Sequence, residues 1–274
     1  MFPQSEPYSR RACPPRQFFS FCTFVLLFRY EFIRTFVPET FQAIITMKKL
    51  IIFDLDGTLL DTIADLATAT NHALQQCGYP IHPTDAYRFF VGNGIDKLFE
   101  RALPEGERTP DNIRRMRSYF LPYYTEHNAD LSRPYPGIPE LLAALVRQGL
   151  QVAVASNKYQ AATEKLIRQF FPAVKFTAVY GQREGIPTKP DPQVVLDIIR
   201  EAGVTAGTTA YVGDSSVDMQ TGRNAGVTTI GVSWGFRPRA ELEAYAPHYI
   251  ADSVEELQDW LCPNSPFRTS PAQA

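Results

Sequence analysis

The chain has 274 residues, 45% of them hydrophobic and 20% charged, enough to bury a full core as one large domain or as a domain carrying an insertion. Lys and Arg total 27 against 29 Asp and Glu, a formal net charge of -2, which gives no electrostatic case for a nucleic acid or an anionic membrane surface as partner. The four cysteines, Cys13, Cys22, Cys77 and Cys262, have neither C-x-x-C spacing nor a histidine cluster beside them, which argues against zinc or a redox pair and leaves reduced thiols in a cytoplasmic protein as the expectation.

Residues 1–46 differ in character from the rest of the chain. Ser9-Arg10-Arg11 ahead of the apolar stretch Phe18 to Phe28 imitates the basic and hydrophobic regions of a signal peptide. The apolar run is too short for a membrane span, no small-residue cleavage site comes after it, and Arg29, Glu31 and Arg34 stand where one would be. Met47 sits directly before Lys48-Lys49 and the first strand, so 1–46 reads as an extension outside the fold, and no membrane association is expected.

The first predicted strand, Leu50 to Asp54, is an apolar run that ends in two carboxylates, Asp54 and Asp56, and breaks at Gly57. On an extended chain residues two apart point to one face. Repulsion between two anions placed there has to be offset by a proton or a metal ion. An Asp-Gly turn would account for Asp56-Gly57, but it leaves Asp54 without a purpose on an apolar strand.

Residues 62–135 then offer helices and no convincing strand, and read as an inserted all-helical cap domain. Ile63, Leu66, Ala67, Thr70, Ala73 and Leu74 make one apolar helical face, and further helices fit Ile95 to Leu103 and Asn112 to Asn128. Val91-Gly92-Asn93-Gly94 reads most simply as a turn between cap helices, with substrate contact by Gly92 and Gly94 as the alternative. Pro134-Tyr135-Pro136-Gly137 marks the return to the sheet, with a helix beginning near Pro139. An insertion placed just after the Asp54/Asp56 loop could close over it.

From there strands predicted at Gln151 to Ala155, Phe176 to Tyr180, Thr209 to Val212 and Thr228 to Val232 alternate with helical periodicity at Thr163 to Phe170, Pro192 to Ala202, Val217 to Ala225 and Val254 to Leu261. Repeated βα units imply a doubly wound, mostly parallel, Rossmann-like α/β sheet, so that 47–61 and 136–262 form the core catalytic domain and 263–274 a disordered tail. Ser156-Asn157-Lys158 ends one strand, Gly213-Asp214 with Asp218 ends another, and Thr188-Lys189-Pro190-Asp191 lies in a loop before a helix. In an open parallel sheet the carboxyl ends of the strands share one edge, where ligands bind. Carboxylates, a hydroxyl and lysines gathered there suit Mg2+ facing a phosphoryl group, because magnesium takes oxygen ligands and bridges to substrate phosphate. An aspartate suffices as nucleophile toward phosphorus. The four histidines, His72, His82, His127 and His248, have no spacing that suggests a ligand set.

Asp54-Leu55-Asp56-Gly57-Thr58, then Ser156, Lys189 and Gly213-Asp214-x-x-x-Asp218 in that order, resembles the four motifs of the haloacid dehalogenase superfamily, over roughly Lys49 to Leu261. The helical insertion after the first motif and Val91-Gly92-Asn93-Gly94 are similar to the phosphatases that include phosphoglycolate phosphatase. The resemblance implies that Asp54 attacks phosphorus and that Asp56 protonates the leaving group and then activates water. It also implies that Asp54 and Asp214 hold magnesium through side chains and Asp56 through its carbonyl, with Asp218 outside the ligand set. Ser156 would bond a phosphoryl oxygen and Lys189 would offset charge, with Asn157 and Lys158 supporting them. Singly, Ser156-Asn157 could be a helix-capping pair, Lys189-Pro190 a loop, and Asp218 a first-turn acid favoured by the helix dipole.

The expected activity is therefore a magnesium-dependent phosphomonoester hydrolase acting on a small phosphorylated metabolite, with 2-phosphoglycolate the first candidate. A β-phosphoglucomutase-like phosphotransferase, a pyrophosphatase, and a catalytically inactive binding module are the alternatives. A dehalogenase is disfavoured, because that chemistry needs neither the acid at Asp56 nor a metal. Monomer and homodimer are both compatible with the sequence.

Overall fold

The computed structural model describes residues 48–262. The extension at 1–46, Met47 and the tail expected at 263–274 lie outside the described residues. No helix among the described residues is long and apolar enough to cross a membrane.

After β1 (Leu50–Phe53) and the two-residue β2 (Leu60–Asp61) come four helices, α1 (Ile63–Cys77), α2 (Tyr87–Phe90), α3 (Ile95–Ala102) and α4 (Pro110–His127), and then the two-residue β3 (Arg133–Pro134). The rest of the chain runs α5 (Ile138–Arg147), β4 (Gln151–Tyr159), α6 (Gln160–Phe170), β5 (Ala178–Gln182), α7 (Gln193–Ala202), β6 (Thr209–Gly213), α8 (Ser216–Asn224), β7 (Thr228–Val232), α9 (Arg239–Glu243), β8 (Tyr249–Ala251) and α10 (Val254–Leu261). Six strands form one parallel sheet in the order β5-β4-β1-β6-β7-β8, the doubly wound α/β architecture expected from the βα alternation.

β1 lies inside this sheet with helices on both faces, so it reads Leu-Ile-Ile-Phe without a polar position. Ile51 and Phe53 pack with Ile138, Leu141 and Leu145 of α5 and Leu257 of α10. Leu50 and Ile52 face the other way, onto Val194, Val195 and Ile198 of α7. Its neighbours β4 and β6 lie on opposite sides, so the strand order switches at β1, and a crevice opens at the carboxyl ends of the strands. The Asp54 N–H donates to the Val212 carbonyl at 2.9 Å, which carries the ladder one residue past β1 and fixes where the Asp54 carboxylate begins.

Residues 63–127 contribute helices only. The apolar face of α1 predicted from Ile63 to Leu74 is buried against Met116, Phe120 and Tyr124 of α4 and Leu98 and Phe99 of α3. Thr109 begins α4 as an N-cap, accepting the Asn112 N–H at 3.2 Å with Pro110 in the first turn. Phe120 stacks on Tyr124 and meets Phe99 edge-on. Truncating so buried a phenylalanine to alanine costs about 3–5 kcal/mol. Phe236, from the loop after β7, joins this helical cluster and so couples it to the sheet half.

The two connections between the halves are tied together. β2 and β3 pair antiparallel, Leu60 with Pro134 and Asp61 with Arg133. The buried Asp65 of α1 accepts the N–H groups of Leu131 and Ser132 and the Ser132 hydroxyl, the last at 2.6 Å. Strands of two residues leave no periodic signal, which is why the sequence did not show this ribbon. β8, of three residues, and the short α2 and α9 escaped for the same reason, and β5 begins two residues later than the apolar run at Phe176 suggests.

Candidate active site

Asp54, Asp56 and Asp214 are each delivered by a strand end or by the turn just beyond it, and Asp218 by the first turn of a helix. Asp54 follows β1 directly, and the chain reverses at Gly57, which has φ +86. A Cβ on Gly57 would lie 2.3 Å from Asp214 Oδ2, and one on Gly235 would lie 2.2 Å from Asp214 Cβ. Only glycine at both positions lets the Asp214 carboxylate, at the end of β6, sit between those two loops. Its Oδ2 accepts the Phe236 N–H at 2.7 Å.

Asp218 lies at the start of α8. It forms a capping box with Ser215, its Oδ2 accepting the Ser215 N–H at 3.1 Å and the Ser215 hydroxyl at 2.6 Å. Its Oδ1 accepts from Lys189 Nζ at 2.8 Å and from the Tyr211 hydroxyl at 3.2 Å. Both oxygens are thus occupied. Lys189 has three donors, and they go to Asp218, the Ala155 carbonyl at 3.1 Å and the Tyr211 oxygen at 3.0 Å. Asp54 Oδ1 lies 2.9 Å from the same Nζ, in ion-pair contact with it, though this buried oxygen has no well-aligned hydrogen-bond donor.

Asp54, Asp214 and Asp218 present carboxylate oxygens within 4.8 Å of one another, all buried. Burial pushes the Asp54 carboxyl up to about 7, against the pull of Lys189 and with further push from Asp218. Asp214 is raised as well, by burial first and then by Asp218 and Asp54. Burial alone would lower Lys189, yet Asp218 and Asp54 hold it well above the usual lysine value, so it stays an ammonium. Asp54 has only Lys189 close beside it, and Asp214 Oδ2 holds only a backbone N–H. That arrangement fits a hard cation bound by oxygen. Asp218, with both oxygens engaged, is poorly placed to be a ligand.

Asp56 stands apart from this cluster. Thr62 donates to its Oδ1 at 2.6 Å, and Lys158 Nζ donates to both oxygens at 2.9 and 3.1 Å. Lys158 lies over the ring of Tyr124 at 4.9 Å. Asn157 is a strut: it accepts the Lys189 N–H at 2.9 Å, donates to the Lys189 carbonyl, and reaches the helical half through the Gly92 carbonyl at 3.0 Å. Ser156 is buried, with its hydroxyl oxygen accepting the Lys158 N–H at 3.2 Å. β4 runs on through these residues, with an irregularity in register between Ala155 and Tyr159 that turns the triplet toward the crevice.

Between the two halves lies a cavity of about 60 Å³, lined by Asp54, Asp56, Ser156, Asn157, Lys158 and Asp214 on one side and by Gly92, Gly94 and apolar side chains of the helices on the other. Lys189 and Asp218 stand behind the acids. The residues singled out from sequence therefore converge on one place. Sequence reasoning missed Thr62, Tyr124, Tyr211 and Arg237. Tyr124 lines the cavity, and its buried hydroxyl has no hydrogen-bond partner. The signal for Arg237 was available, since Trp234-Gly235-Phe236-Arg237 comes after a predicted strand at the same sheet edge.

Residues 51–232 match the haloacid dehalogenase-like hydrolases. The chain belongs to this family. A phosphoglycolate phosphatase from Mesorhizobium japonicum is 36% identical over 214 residues, which cover 76% of this chain and 94% of that protein. One from Vibrio parahaemolyticus is 34% identical with the same coverage. Among solved structures, a predicted phosphoglycolate phosphatase from Haemophilus somnus superposes with a TM-score of 0.72 at 29% identity, covering 81% of this chain and all of that one. Asp54, Ser156, Lys189, Asp214 and Asp218 all fall within the stretch matched to the hydrolase family.

Proposed function

We propose that the chain is a magnesium-dependent phosphomonoester hydrolase whose substrate is a small phosphorylated metabolite, 2-phosphoglycolate first among candidates. The observation that carries the reading is the buried cluster of Asp54, Asp214 and Asp218 at the strand ends, three carboxylates within 4.8 Å of one another around the single ammonium of Lys189. Carboxylates so crowded repel unless a further cation or a proton joins them, and an aspartate at that edge is placed to act as a nucleophile.

In the proposed reaction Asp54 attacks phosphorus and the ester P–O bond breaks, leaving an aspartyl phosphate. The departing alkoxide takes its proton from the Asp56 carboxyl, oriented by Thr62 and Lys158. Asp56 then accepts a proton from water as the water oxygen attacks phosphorus and Asp54 is released. Ser156 donates to a phosphoryl oxygen, and the fixed ammonium of Lys189 offsets charge at Asp54 without itself transferring a proton. Magnesium held by Asp54, Asp214 and the Asp56 carbonyl would supply charge neutralisation at the phosphoryl oxygens and favour the ionised form of both carboxylates. Asp218 keeps Lys189 and the start of α8 in place.

The relatives named phosphoglycolate phosphatase support the choice of substrate. Among small phosphomonoesters, 2-phosphoglycolate is expected to have the highest kcat/KM, ahead of glucose 1-phosphate, glucose 6-phosphate and nucleoside monophosphates, and turnover is expected to require magnesium. If a hexose phosphate or pyrophosphate leads by about tenfold, equivalent to about 1.4 kcal/mol of transition-state binding, the substrate assignment fails while the phosphatase stands. Metal-independent turnover would remove the role given to magnesium.

A further inference from the structure

The helical wall of the cavity is built from Leu66, Val91, Ile95, Leu98 and Phe120, and Arg237 interrupts it. Arg237 comes from the sheet half, five residues beyond β7 by position in the sequence. Its side chain is only 12% exposed. One guanidinium nitrogen, Nη2, donates to the Val91 carbonyl at 2.9 Å and reaches the Phe89 carbonyl at 3.4 Å. Nε lies 3.9 Å from the Glu241 carboxylate, at the limit of an ion pair, and the other oxygen of Glu241 accepts the Ser216 N–H at 3.1 Å.

Carbonyl contacts satisfy N–H groups, and the guanidinium lies over the Phe89 ring at 5.4 Å, which eases the charge without supplying an anion. A largely buried cation without a close anion is unfavourable unless a ligand supplies one. The two lysines of the site differ on this point, because Lys158 grips Asp56 and Lys189 is in contact with Asp54 and Asp218. A second guanidinium adds to the excess. Arg101 of α3 holds the same 89–93 segment, donating to the Phe90 carbonyl at 2.9 Å and to Asn93 Oδ1 at 2.7 Å. Its pKa is lowered, by burial first and then by the charge of Arg237, so the two cations are close enough to repel. The acceptors that each holds on that segment are neutral.

We propose that Arg237 is a specificity-determining residue that receives a carboxylate on the leaving-group half of the substrate, with Arg101 fixing the 89–93 segment beside it. The substrate class this implies is the phosphate monoesters of small hydroxy acids, a choice that rests on the phosphatase reading above. Arginine suits the task because its planar fork pairs with a carboxylate in two parallel hydrogen bonds. An apolar wall around it penalises a hydroxyl-rich leaving group and strengthens the one charged contact.

The test uses the full chain, Arg237→Gln and Arg237→Lys, with 2-phosphoglycolate and ethyl phosphate, which replaces the carboxylate by a methyl group. The wild type is expected to favour 2-phosphoglycolate by tenfold or more in kcat/KM. In Arg237→Gln that ratio is expected to fall by about tenfold to a hundredfold, the range for losing a charge-assisted hydrogen bond, with the loss in KM. Arg237→Lys keeps the charge without the fork and is expected to fall between the two. Calorimetric titration with glycolate gives a second readout that needs no turnover, and glycolate affinity is expected to drop at least tenfold in Arg237→Gln. A ratio that does not change on substitution, or a glycolate affinity equal in wild type and variant, overturns the proposal. Arg237-dependent glycolate binding by a wild type that hydrolyses neither ester would sink the phosphoglycolate assignment and uphold the carboxylate site. If Arg237→Gln does not fold, as judged by its melting transition, the Lys variant decides: an unchanged ratio there rejects the proposal, and a reduced one supports it.

Discussion

The two walls of the cavity are built on opposite principles. On the sheet side the charged groups are interlocked: Lys189 gives all three protons to fixed acceptors, Asp218 uses both oxygens, and Asn157 pins the Lys189 loop. On the helical side the surface is mostly apolar, and its polar groups are left open, with the Tyr124 hydroxyl unpartnered and the Arg237 charge uncompensated at short range. A wall that must hold reacting atoms in one geometry is rigid because its hydrogen-bond capacity is filled from within. A wall that must recognise a ligand keeps capacity for it. Asp54, whose close partner on the interlocked side is Lys189, marks where the reaction is proposed to occur.

If that contrast is right, substitutions on the two walls separate in kind. Asp54→Asn is expected to lower kcat by about three orders of magnitude or more while substrate still binds, since the group acts in the transition state. A variant that keeps a large fraction of wild-type turnover contradicts the covalent route. Asp214→Ala is expected to weaken magnesium binding by about a hundredfold or more, because removal even of groups that only support a metal ligand costs ten- to a hundredfold. An unchanged magnesium titration removes Asp214 from the ligand set.

The same acids give a pH dependence with a definite sign. The Asp54 pKa is raised by burial to about 7 in the metal-free protein, against about 3.9 for an unfolded aspartate. The native state therefore holds this proton more tightly than the unfolded chain does. The stability it confers is full below about pH 4 and is lost as the pH rises toward 7. Asp214 moves in the same direction. The melting temperature of the metal-free protein should carry a component that falls across that window, and magnesium should raise it more at pH 8 than at pH 6, because protons compete for the same oxygens. A magnesium effect independent of pH would break the link between these acids and the metal.

The smallest effect is expected on the helical wall. Tyr124→Phe removes a buried hydroxyl that has no partner, so stability should stay level or rise by up to about 1 kcal/mol, visible as a small upward shift in melting temperature. A loss of stability of that size would show that the hydroxyl already has a partner in the resting protein.

The contrast also explains what the sequence revealed. Asp54 was legible because a carboxylate on a fully buried strand has no use in packing, Asp56 and Asp214 because each comes after an apolar run at a shared sheet edge, and Lys189 only through its place in the motif order. The helical face from Ile63 to Leu74 was legible from its period. Asp218 shows the limit: read alone, a first-turn acid and a site residue look the same, and the structure makes it both, capping α8 while pairing with Lys189. Tyr124 matters only through its contact with Lys158 across the two halves, and no local pattern carries such information. The β2–β3 ribbon was too short to register.

The most direct test of the central claim is to trap the covalent intermediate. Wild-type protein turning over 2-phosphoglycolate with magnesium is quenched rapidly in acid, where an acyl phosphate survives long enough for peptide mass spectrometry. The expected result is a phosphoryl group on the peptide containing Asp54, present in wild type and absent from Asp54→Asn. A phosphoryl group on another residue, or turnover with none trapped at any quench time, would contradict the assignment of Asp54 as the nucleophile.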